Sequence, residues 1–203
     1  MTAGIDAGPV DLILLAAGAG RRMGGRDKLL EPVGGQALLA TLAGVARGSR
    51  AREVLVVLPP EAPARRAALQ GIGARIVVAA EAAEGMGASL RAGMAALRPD
   101  AAGVVVMLGD MPEVTAAGID ALIAAHAAGG AICRATSGGA PGHPVLFDRR
   151  FFAVLAASAG DAGARALLRA EAARVVPVSV AGAATDLDTP EDWAAWRAAH
   201  PEA

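Results

Sequence analysis

The sequence predicts a doubly wound α/β fold, in which helices cover both faces of a mostly parallel β-sheet. Two observations lead to this prediction. Short apolar runs of strand length alternate along the chain with alanine-rich stretches of helical length, and this alternation is typical of doubly wound sheets. The apolar runs also lack polar alternation, as strands do when both of their faces are buried. A three-layer α/β/α arrangement is therefore expected.

The first half of the chain contains four predicted strands that consist mainly of Val, Ile and Leu: Asp11–Leu15, Glu53–Leu58, Arg75–Ala79 and Val104–Leu108. Between them, alanine-rich segments predict helices at Gln36–Ala46, Ala62–Leu69 and Ala88–Leu97. Alanine has the highest intrinsic helix propensity, so composition alone favours helix in these segments.

The second half of the chain is less regular. A helix is predicted at Val114–Ala128, with Thr115 as its N-cap. Two strands and the flexible loop between them are expected at Ala131–Ala135, His143–Phe147 and Thr136–Gly142. Two helices, a strand and a final helix with proline in its first turn are expected at Asp148–Ala156, Ala162–Glu171, Arg174–Val180 and Pro190–Ala199. We expect Val145–Phe147 to pair antiparallel with Val176–Val180 at the sheet edge.

Composition and charge narrow the class of protein. The chain has 203 residues, with 19 Lys and Arg against 20 Asp and Glu, and its formal net charge is −1. One domain spanning 1–203 is expected, because no linker, repeat or charge block divides the chain. Partners such as nucleic acid or an anionic membrane require a basic excess, so neither is expected. The single cysteine, Cys133, excludes an internal disulfide framework and a thiolate-rich metal site.

The hydrophobic fraction of 54% does not by itself indicate a membrane protein, because alanine accounts for much of it. No run approaches the roughly 18 consecutive apolar residues of a transmembrane helix. Met1–Pro9 contains Asp6 and lacks the basic residues of a secretory signal peptide. A soluble, cytoplasmic protein is therefore expected.

The most informative segment follows the first predicted strand. It is rich in glycine and basic residues: Gly18, Gly20, Arg21, Arg22, Gly24, Gly25, Arg26 and Lys28. Glycines let backbone N–H groups approach an anion closely, and a loop after the first strand is a common phosphate site in open α/β sheets. Arg26 stands where a P-loop requires lysine, and Gly24 falls one residue late for the dinucleotide fingerprint. The segment is interpreted as a polyphosphate-binding loop, with a solvated turn as the alternative.

Two acidic segments suggest a site for Mg²⁺. Asp110 follows the predicted strand Val104–Leu108 at its carboxyl end, where ligands of open sheets bind. Asp186 and Asp188 precede the last predicted helix. Carboxylates from distant chain segments suit Mg²⁺, which takes one or two protein carboxylates in addition to phosphate oxygens. The alternative is that these residues only cap a turn or a helix.

Further motifs are candidates for ligand contacts. Gly87 and Ser89 lie at the start of a predicted helix, where free N–H groups can bind an anion or a base edge. Arg165 offers a planar fork for phosphate, and Asp161, four residues earlier, can orient it. His143 and Arg165 lie in glycine-containing motifs, GHPVLF and GDAGAR, which suit close approach of a ligand. The alternatives are a structural histidine and an exposed ion pair.

Taken together, the motifs resemble the MobA-like nucleotidyltransferases in type and in order. They read LAAGAGRRMGGRDKLL, GMGASL, GDMP, GHPVLF, GDAGAR and DLDTPED, within a resemblance that spans Leu12 to Trp193. They are most similar to the molybdenum cofactor cytidylyltransferase branch, the MocA-like proteins. The resemblance implies a Rossmann-like fold of the glycosyltransferase-A type. It also implies transfer of a nucleotidyl group from an NTP to a phosphate, with Mg²⁺ and loss of pyrophosphate.

The resemblance implies residue roles as well. The family's glycine loop, which would cradle the triphosphate, corresponds to Ala16, Ala17, Gly18, Gly20, Arg22 and Gly24. Lys28 corresponds to its phosphate-binding lysine, and Lys28, Arg22 and Asp110 would carry the catalysis. Asp110 corresponds to the metal-binding aspartate and Asp188 to the closing motif, with Asp186 as the less favoured choice. Gly87 and Ser89 complete the predicted nucleotide site.

The same resemblance implies which substrates bind and which half of the domain binds each of them. Ala17 favours CTP, because the guanylyl branch has glycine there. The NTP is expected in the half at about 10–110, and a molybdopterin-type acceptor in the half at about 111–199, near His143, Asp161 and Arg165. Two alternatives stay open: guanylyl transfer, and a non-catalytic factor that holds the cofactor for a partner molybdoenzyme. A nicotinamide-dependent oxidoreductase is disfavoured because the dinucleotide fingerprint fails.

Overall fold

The computed structural model describes residues 8–18, 26–160 and 163–201. A seven-stranded sheet lies at its centre, and a short two-stranded hairpin lies beside it. In chain order, the strands are β1 (Val10–Leu15), β2 (Pro32–Val33), β3 (Gln36–Ala37), β4 (Val54–Leu58), β5 (Arg75–Val78), β6 (Gly103–Leu108), β7 (Ile132–Ser137), β8 (Ala140–Asp148) and β9 (Val175–Ser179). The large sheet has the order β5-β4-β1-β6-β8-β7-β9, and β2 pairs with β3.

Seven α-helices are found in the described ranges: α1 (Leu38–Arg47), α2 (Pro63–Ala68), α3 (Met86–Ala95), α4 (Ala116–Ala127), α5 (Phe152–Ala156), α6 (Arg165–Ala170) and α7 (Pro190–Ala199). Thr115 caps α4 as predicted, because its hydroxyl accepts a hydrogen bond from the Gly118 N–H at 3.1 Å. In two of the predicted helices, the first residues form a different element. Gln36–Ala37 forms a strand ahead of α1, and Arg149–Phe151 forms a 3-10 turn ahead of α5. Among the described residues, we find no helix with the length and apolarity needed to cross a membrane.

Parallel pairing dominates the sheet. β5, β4, β1 and β6 are parallel neighbours, and only β8 runs antiparallel, to β6 on one side and to β7 on the other. Since β1 lies between β4 and β6, the carboxyl ends of all three strands meet at one edge of the sheet. The predicted fold class is confirmed, and this edge is where ligands bind in open α/β folds.

Both faces of the central strands are buried. Leu12 and Leu14 of β1 belong to a core that also contains apolar residues of α1, α4 and α7. Ile13 and Leu15 point to the opposite face and pack with residues of α3, α5 and α6. Successive side chains of a strand alternate between faces, so an unbroken apolar run fills both cores at once. The three predicted layers are present.

The expected antiparallel pairing of Val145–Phe147 with Val176–Val180 is wrong. β9 pairs in parallel with β7, beginning with Ile132 opposite Val175. The reason is that β8 lies inside the sheet, with both of its edges occupied by β6 and β7. No edge of β8 is left for β9.

The predicted flexible loop Thr136–Gly142 is also wrong. β7 and β8 form a hairpin in which Ser137 lies opposite Ala140, so Gly138 and Gly139 alone make the turn. Their φ values are 57° and 84°. Type I′ hairpin turns require positive φ at both central residues, and glycine adopts it without steric cost.

Candidate active site

The site lies at the carboxyl ends of β1 and β6. Beyond β6, the Gly109 N–H donates a hydrogen bond to the Leu15 carbonyl, at 3.1 Å, and joins the two strand ends. A Cβ atom at position 109 would lie 3.1 Å from that oxygen and 3.2 Å from the side chain of Leu29. Glycine therefore lets the chain pass close to β1 and delivers Asp110 to the same edge.

Lys28 lies between two carboxylates from distant parts of the chain. Its Nζ is 2.8 Å from Asp110 Oδ2 and 2.6 Å from Asp188 Oδ1. The three side chains are partly buried, with exposed fractions of 14%, 21% and 28% for Lys28, Asp110 and Asp188. The structure thus brings together the predicted phosphate-binding lysine and both predicted metal ligands.

Lys28 is charged at neutral pH. Burial lowers the pKa of its ammonium, but hydrogen bonds and charge attraction from Asp110 and Asp188 outweigh burial, and the pKa is raised above its ordinary value. An ammonium has three N–H donors. Two of them serve the carboxylates, so a third is available for a further acceptor.

Local chain geometry explains why Asp188 faces Lys28. The Leu187 N–H donates to the Asp110 carbonyl at 3.0 Å, which holds this segment against the end of β6. Thr189, rather than Asp188, caps α7: its hydroxyl accepts from the Asp192 N–H, and the Asp192 carboxylate accepts from the Thr189 N–H. The Asp188 carboxylate is thus directed to the lysine, whereas Asp186 is exposed.

The last turn of α7 is also tied to the lysine segment. Arg197 Nη2 lies 2.7 Å from Glu31 Oε2, and Glu31 ends the 3-10 turn that begins at Lys28. Arg197 also lies over the ring of Trp193, 4.9 Å from the ring centroid. Contacts at both ends of α7 therefore fix its position relative to Lys28.

The carboxylate pair fits a divalent cation. Asp110 Oδ1 is buried and lacks a hydrogen-bond partner within the described ranges, so it is an acceptor open to a cation. The described residues contain no group of three or more His, Cys, Asp or Glu that could hold a metal. Mg²⁺ does not require one, because it binds through one or two carboxylates together with substrate phosphates and water.

Arg65 is a site residue that sequence reasoning missed. The residue is 6% exposed, and its guanidinium makes four hydrogen bonds. Two go to the carboxylate of Asp27, at 2.7 and 3.0 Å, and the others go to the carbonyls of Ala16, at 2.6 Å, and Gly18, at 2.9 Å. These partners stand before and after residues 19–25, so Arg65 holds together the two ends of the predicted polyphosphate loop.

A signal for Arg65 was present in the sequence. Ala62 and Leu69 lie three residues before it and four residues after it, and all three side chains are buried. Positions i, i+3 and i+7 share one helix face. An arginine on the apolar face of a predicted helix indicates a buried partner, and here the partner is Asp27.

We expect Arg65→Ala to raise the KM for NTP by about tenfold or more, because the loop ends lose their common anchor, and to lower thermal stability. Steady-state kinetics and a melting curve measure the two effects. Arg66→Ala is the matched control, because Arg66 is the adjacent residue on the same helix. Equal KM values in the Arg65 and Arg66 variants would contradict the anchoring role.

A second group of predicted residues lies around an apolar pocket. The pocket is lined by nine residues: Leu15, Met86, Leu90, Val106, Leu108, His143, Ala164, Arg165 and Leu168. The His143 N–H donates to the Ala183 carbonyl at 2.9 Å. Burial, opposed by the Val106 carbonyl and reinforced by the charge of Arg134, lowers the pKa of His143 to about 4. The imidazole is therefore neutral at neutral pH.

The other predicted residues are placed as follows. Gly87 lies in the first turn of α3, where an added Cβ would come within 2.7 Å of the Ala159 backbone, so close packing alone requires glycine there. Ser89 is buried in the same helix. Ala16 and Ala17 are buried and Gly18 is exposed. The predicted residues outside the described ranges are Gly20, Arg22, Gly24 and Asp161.

Comparison with known proteins identifies the family. The MobA-like NTP transferase domain matches residues 12–175. The chain is a member of the MobA-like NTP transferase family. Its activity class is accordingly that of the nucleotidyltransferases, as the resemblance implied.

The relatives of this MobA-like protein differ in name and in length. It is 31% identical to the purine catabolism protein PucB of Bacillus subtilis, over 89% of this chain and 92% of PucB. It is 35% identical to nicotine blue oxidoreductase of Paenarthrobacter nicotinovorans, over 77% of this chain and 80% of that protein. The match to the bifunctional protein GlmU of Kineococcus radiotolerans, at 38% identity, covers 60% of this chain but spans 26% of GlmU.

A solved structure of similar length has the same fold. Rv0371C of Mycobacterium tuberculosis H37Rv, in complex with manganese, superimposes with a TM-score of 0.78 at 31% sequence identity. The match covers 92% of this chain and 97% of that protein. The MobA-like fold is thus shared over nearly the whole of both chains.

Proposed function

We propose that this MobA-like protein is a Mg²⁺-dependent molybdenum cofactor cytidylyltransferase. It moves a CMP group from CTP onto the terminal phosphate of a molybdopterin-type acceptor and releases pyrophosphate. The observation that carries the proposal is the contact of Lys28 with Asp110 and Asp188, next to Asp27, which Arg65 joins to the carbonyls of Ala16 and Gly18. Cationic and anionic groups are assembled there at the ligand-binding edge of the sheet.

Transfer of a nucleotidyl group requires positioning and charge neutralisation more than covalent participation of the protein. The third N–H donor of Lys28 binds an oxygen of the α-phosphate, where negative charge grows during the reaction. The glycine loop and Arg22 bind the phosphates that leave as pyrophosphate. The attacking phosphate of the acceptor is already an anion, so no strong general base is needed.

Asp110 and Asp188 are the residues that would hold Mg²⁺. When bound, Mg²⁺ supplies Lewis-acid polarisation and charge neutralisation at the phosphates. The manganese complex of Rv0371C supports a divalent cation in a related protein. The buried, unpartnered Oδ1 of Asp110 supports one at this position.

The NTP and the acceptor occupy different halves of the domain in this proposal. Residues at about 10–110 contribute the glycine loop, Lys28 and Asp110, and residues at about 111–199 contribute His143, Arg165 and Asp188. Ala17 favours CTP over GTP through the resemblance to the cytidylyl branch.

Guanylyl transfer and a non-catalytic cofactor carrier are the competing functions, and one experiment separates them. The protein is incubated with Mg²⁺, molybdenum-loaded molybdopterin and each NTP in turn, and the products are identified by mass while released pyrophosphate is measured. We expect a cytosine dinucleotide and pyrophosphate with CTP. A guanine dinucleotide would show that the nucleotide substrate is GTP rather than CTP. Bound but unchanged cofactor, with no pyrophosphate from any NTP, would indicate a carrier.

A further inference from the structure

Two arginines and a histidine from three separate elements converge on one side of the sheet. Arg134 lies in β7 two residues after Ile132, and His143 lies in β8 two residues before Val145. Ile132 and Val145 pack in the core formed with α3, α5 and α6. Because strand residues two positions apart share a face, Arg134 and His143 face the layer that carries Arg165.

Within the described parts of the chain, the guanidinium groups of Arg134 and Arg165 have no acidic partner. Arg134 uses its Nε to donate to the Gly142 carbonyl at 3.1 Å, and neither arginine forms an ion pair within the described parts of the chain. Gly142 precedes His143, and His143 lines the same pocket as Arg165, so the two like charges lie on the same side of the sheet. Burial, followed by the charge of Arg165, lowers the pKa of Arg134. Like charges held together without a counterion are a natural site for an anion.

The adjacent pocket adds a neutral polar group and apolar walls. His143 Nδ1 is buried and has no hydrogen-bond partner among the described residues. Leu15, Leu90 and Leu168 are among the residues that line the pocket. A ligand that satisfies these groups carries a strong negative charge at one end and an apolar or planar body, with a polar atom for the imidazole, at the other.

We propose that Arg134 and Arg165 together bind the phosphate group of an organic phosphate, whose body enters the pocket and reaches His143. Arginine suits this role because its planar fork pairs with two phosphate oxygens. Arg134 is the new member of the site. The inference relies on the proposed function in one respect: that the organic phosphate is the second substrate. Binding itself does not depend on turnover.

Isothermal titration calorimetry with phenyl phosphate tests the proposal on the intact protein. The titration is done with α,β-methylene-CTP in excess, so that the predicted triphosphate loop is filled. We expect Arg134→Gln and Arg165→Gln each to weaken phenyl phosphate binding by about tenfold or more. Arg169→Gln, an exposed arginine on the same helix as Arg165, is the matched control and should bind as the parent protein does. Inorganic phosphate should bind more weakly than phenyl phosphate, because it leaves the pocket empty.

Four results would overturn the proposal: no binding by the parent protein, unchanged affinity in the Arg165 variant, unchanged affinity in a folded Arg134 variant, or an equal loss in the Arg169 control. Arg165 is exposed, so its variant keeps the test decisive even if the half-buried Arg134 variant misfolds. Failure of the two proposals is distinguishable. Phenyl phosphate binding without dinucleotide synthesis would contradict the proposed reaction but support this binding site. Dinucleotide synthesis with no effect of the arginine variants on phosphate binding would contradict this binding site alone.

Discussion

Lys28→Ala is expected to lower the turnover of nucleotidyl transfer by roughly 10²-fold or more, by analogy with removal of one oxyanion-hole donor. The affinity for NTP should change much less. In the proposed reaction, the negative charge that Lys28 faces grows in the transition state, and an interaction that strengthens there contributes to kcat rather than to binding. Pyrophosphate release measures kcat, and equilibrium titration with a non-hydrolysable NTP measures affinity.

The surroundings of Lys28 add a second expected effect. Its removal leaves Asp110 and Asp188 facing each other without the cation that now separates them. Divalent cation should therefore raise the melting temperature of Lys28→Ala more than that of the parent protein, since Asp110 loses the cation that it contacts among the described residues. Lys28→Arg is the control, because it keeps the charge and loses the compact ammonium. Unchanged kcat with a raised KM would make Lys28 a ground-state binding residue instead.

The central sheet was predictable because its signal is local. β1, β4 and β6 are unbroken apolar runs, and such a run has few alternatives to a strand buried on both faces. Capping signals were equally local, as Thr115 and Thr189 show. In each case, the pattern that identifies the element lies within a short stretch of sequence, even though the strands themselves pair with distant segments.

Pairing of the later strands was not predictable in the same way. An apolar pattern identifies Val175–Ser179 as a strand but carries no information on its neighbour, and the neighbour depends on which strand edges are already taken. The turn at Gly138 and Gly139 is different. Two adjacent glycines between two predicted strands are a hairpin signal, so the expected flexible loop was a misreading of a pattern that was present.

The candidate site also contains some residues that were predictable from the sequence and others that were not. Lys28 is separated from Asp110 by 82 residues and from Asp188 by 160, and the family motifs, rather than any spacing, associated them. Arg65 and Arg134 belong to no recognised motif. Arg65 could have been identified from helical periodicity. Arg134 lies in an apolar strand, and its proposed role depends on the position of Arg165, which is distant in the sequence.

Asp110→Asn is expected to reduce metal-dependent activity to the background rate while the protein stays folded. The amide keeps the size of the side chain but removes the charge that attracts Lys28 and that would hold Mg²⁺ in the proposed site. The fold should tolerate the change because the side chain lies beyond the end of β6, 21% exposed, outside both apolar cores. Activity is measured against Mg²⁺ concentration. Folding and metal binding are read from melting curves with and without Mn²⁺, which should stabilise only proteins that bind it.

Asp188→Asn and Asp186→Asn complete this test as a matched pair from one segment. Asp188 contacts Lys28 at 2.6 Å, so its variant should lose activity and the Mn²⁺-dependent rise in melting temperature as Asp110→Asn does. Asp186 is exposed, so its variant should retain most of both. A larger loss in Asp186→Asn than in Asp188→Asn would show that the second carboxylate has been assigned to the wrong residue. Full Mn²⁺ stabilisation in Asp110→Asn would place the cation elsewhere.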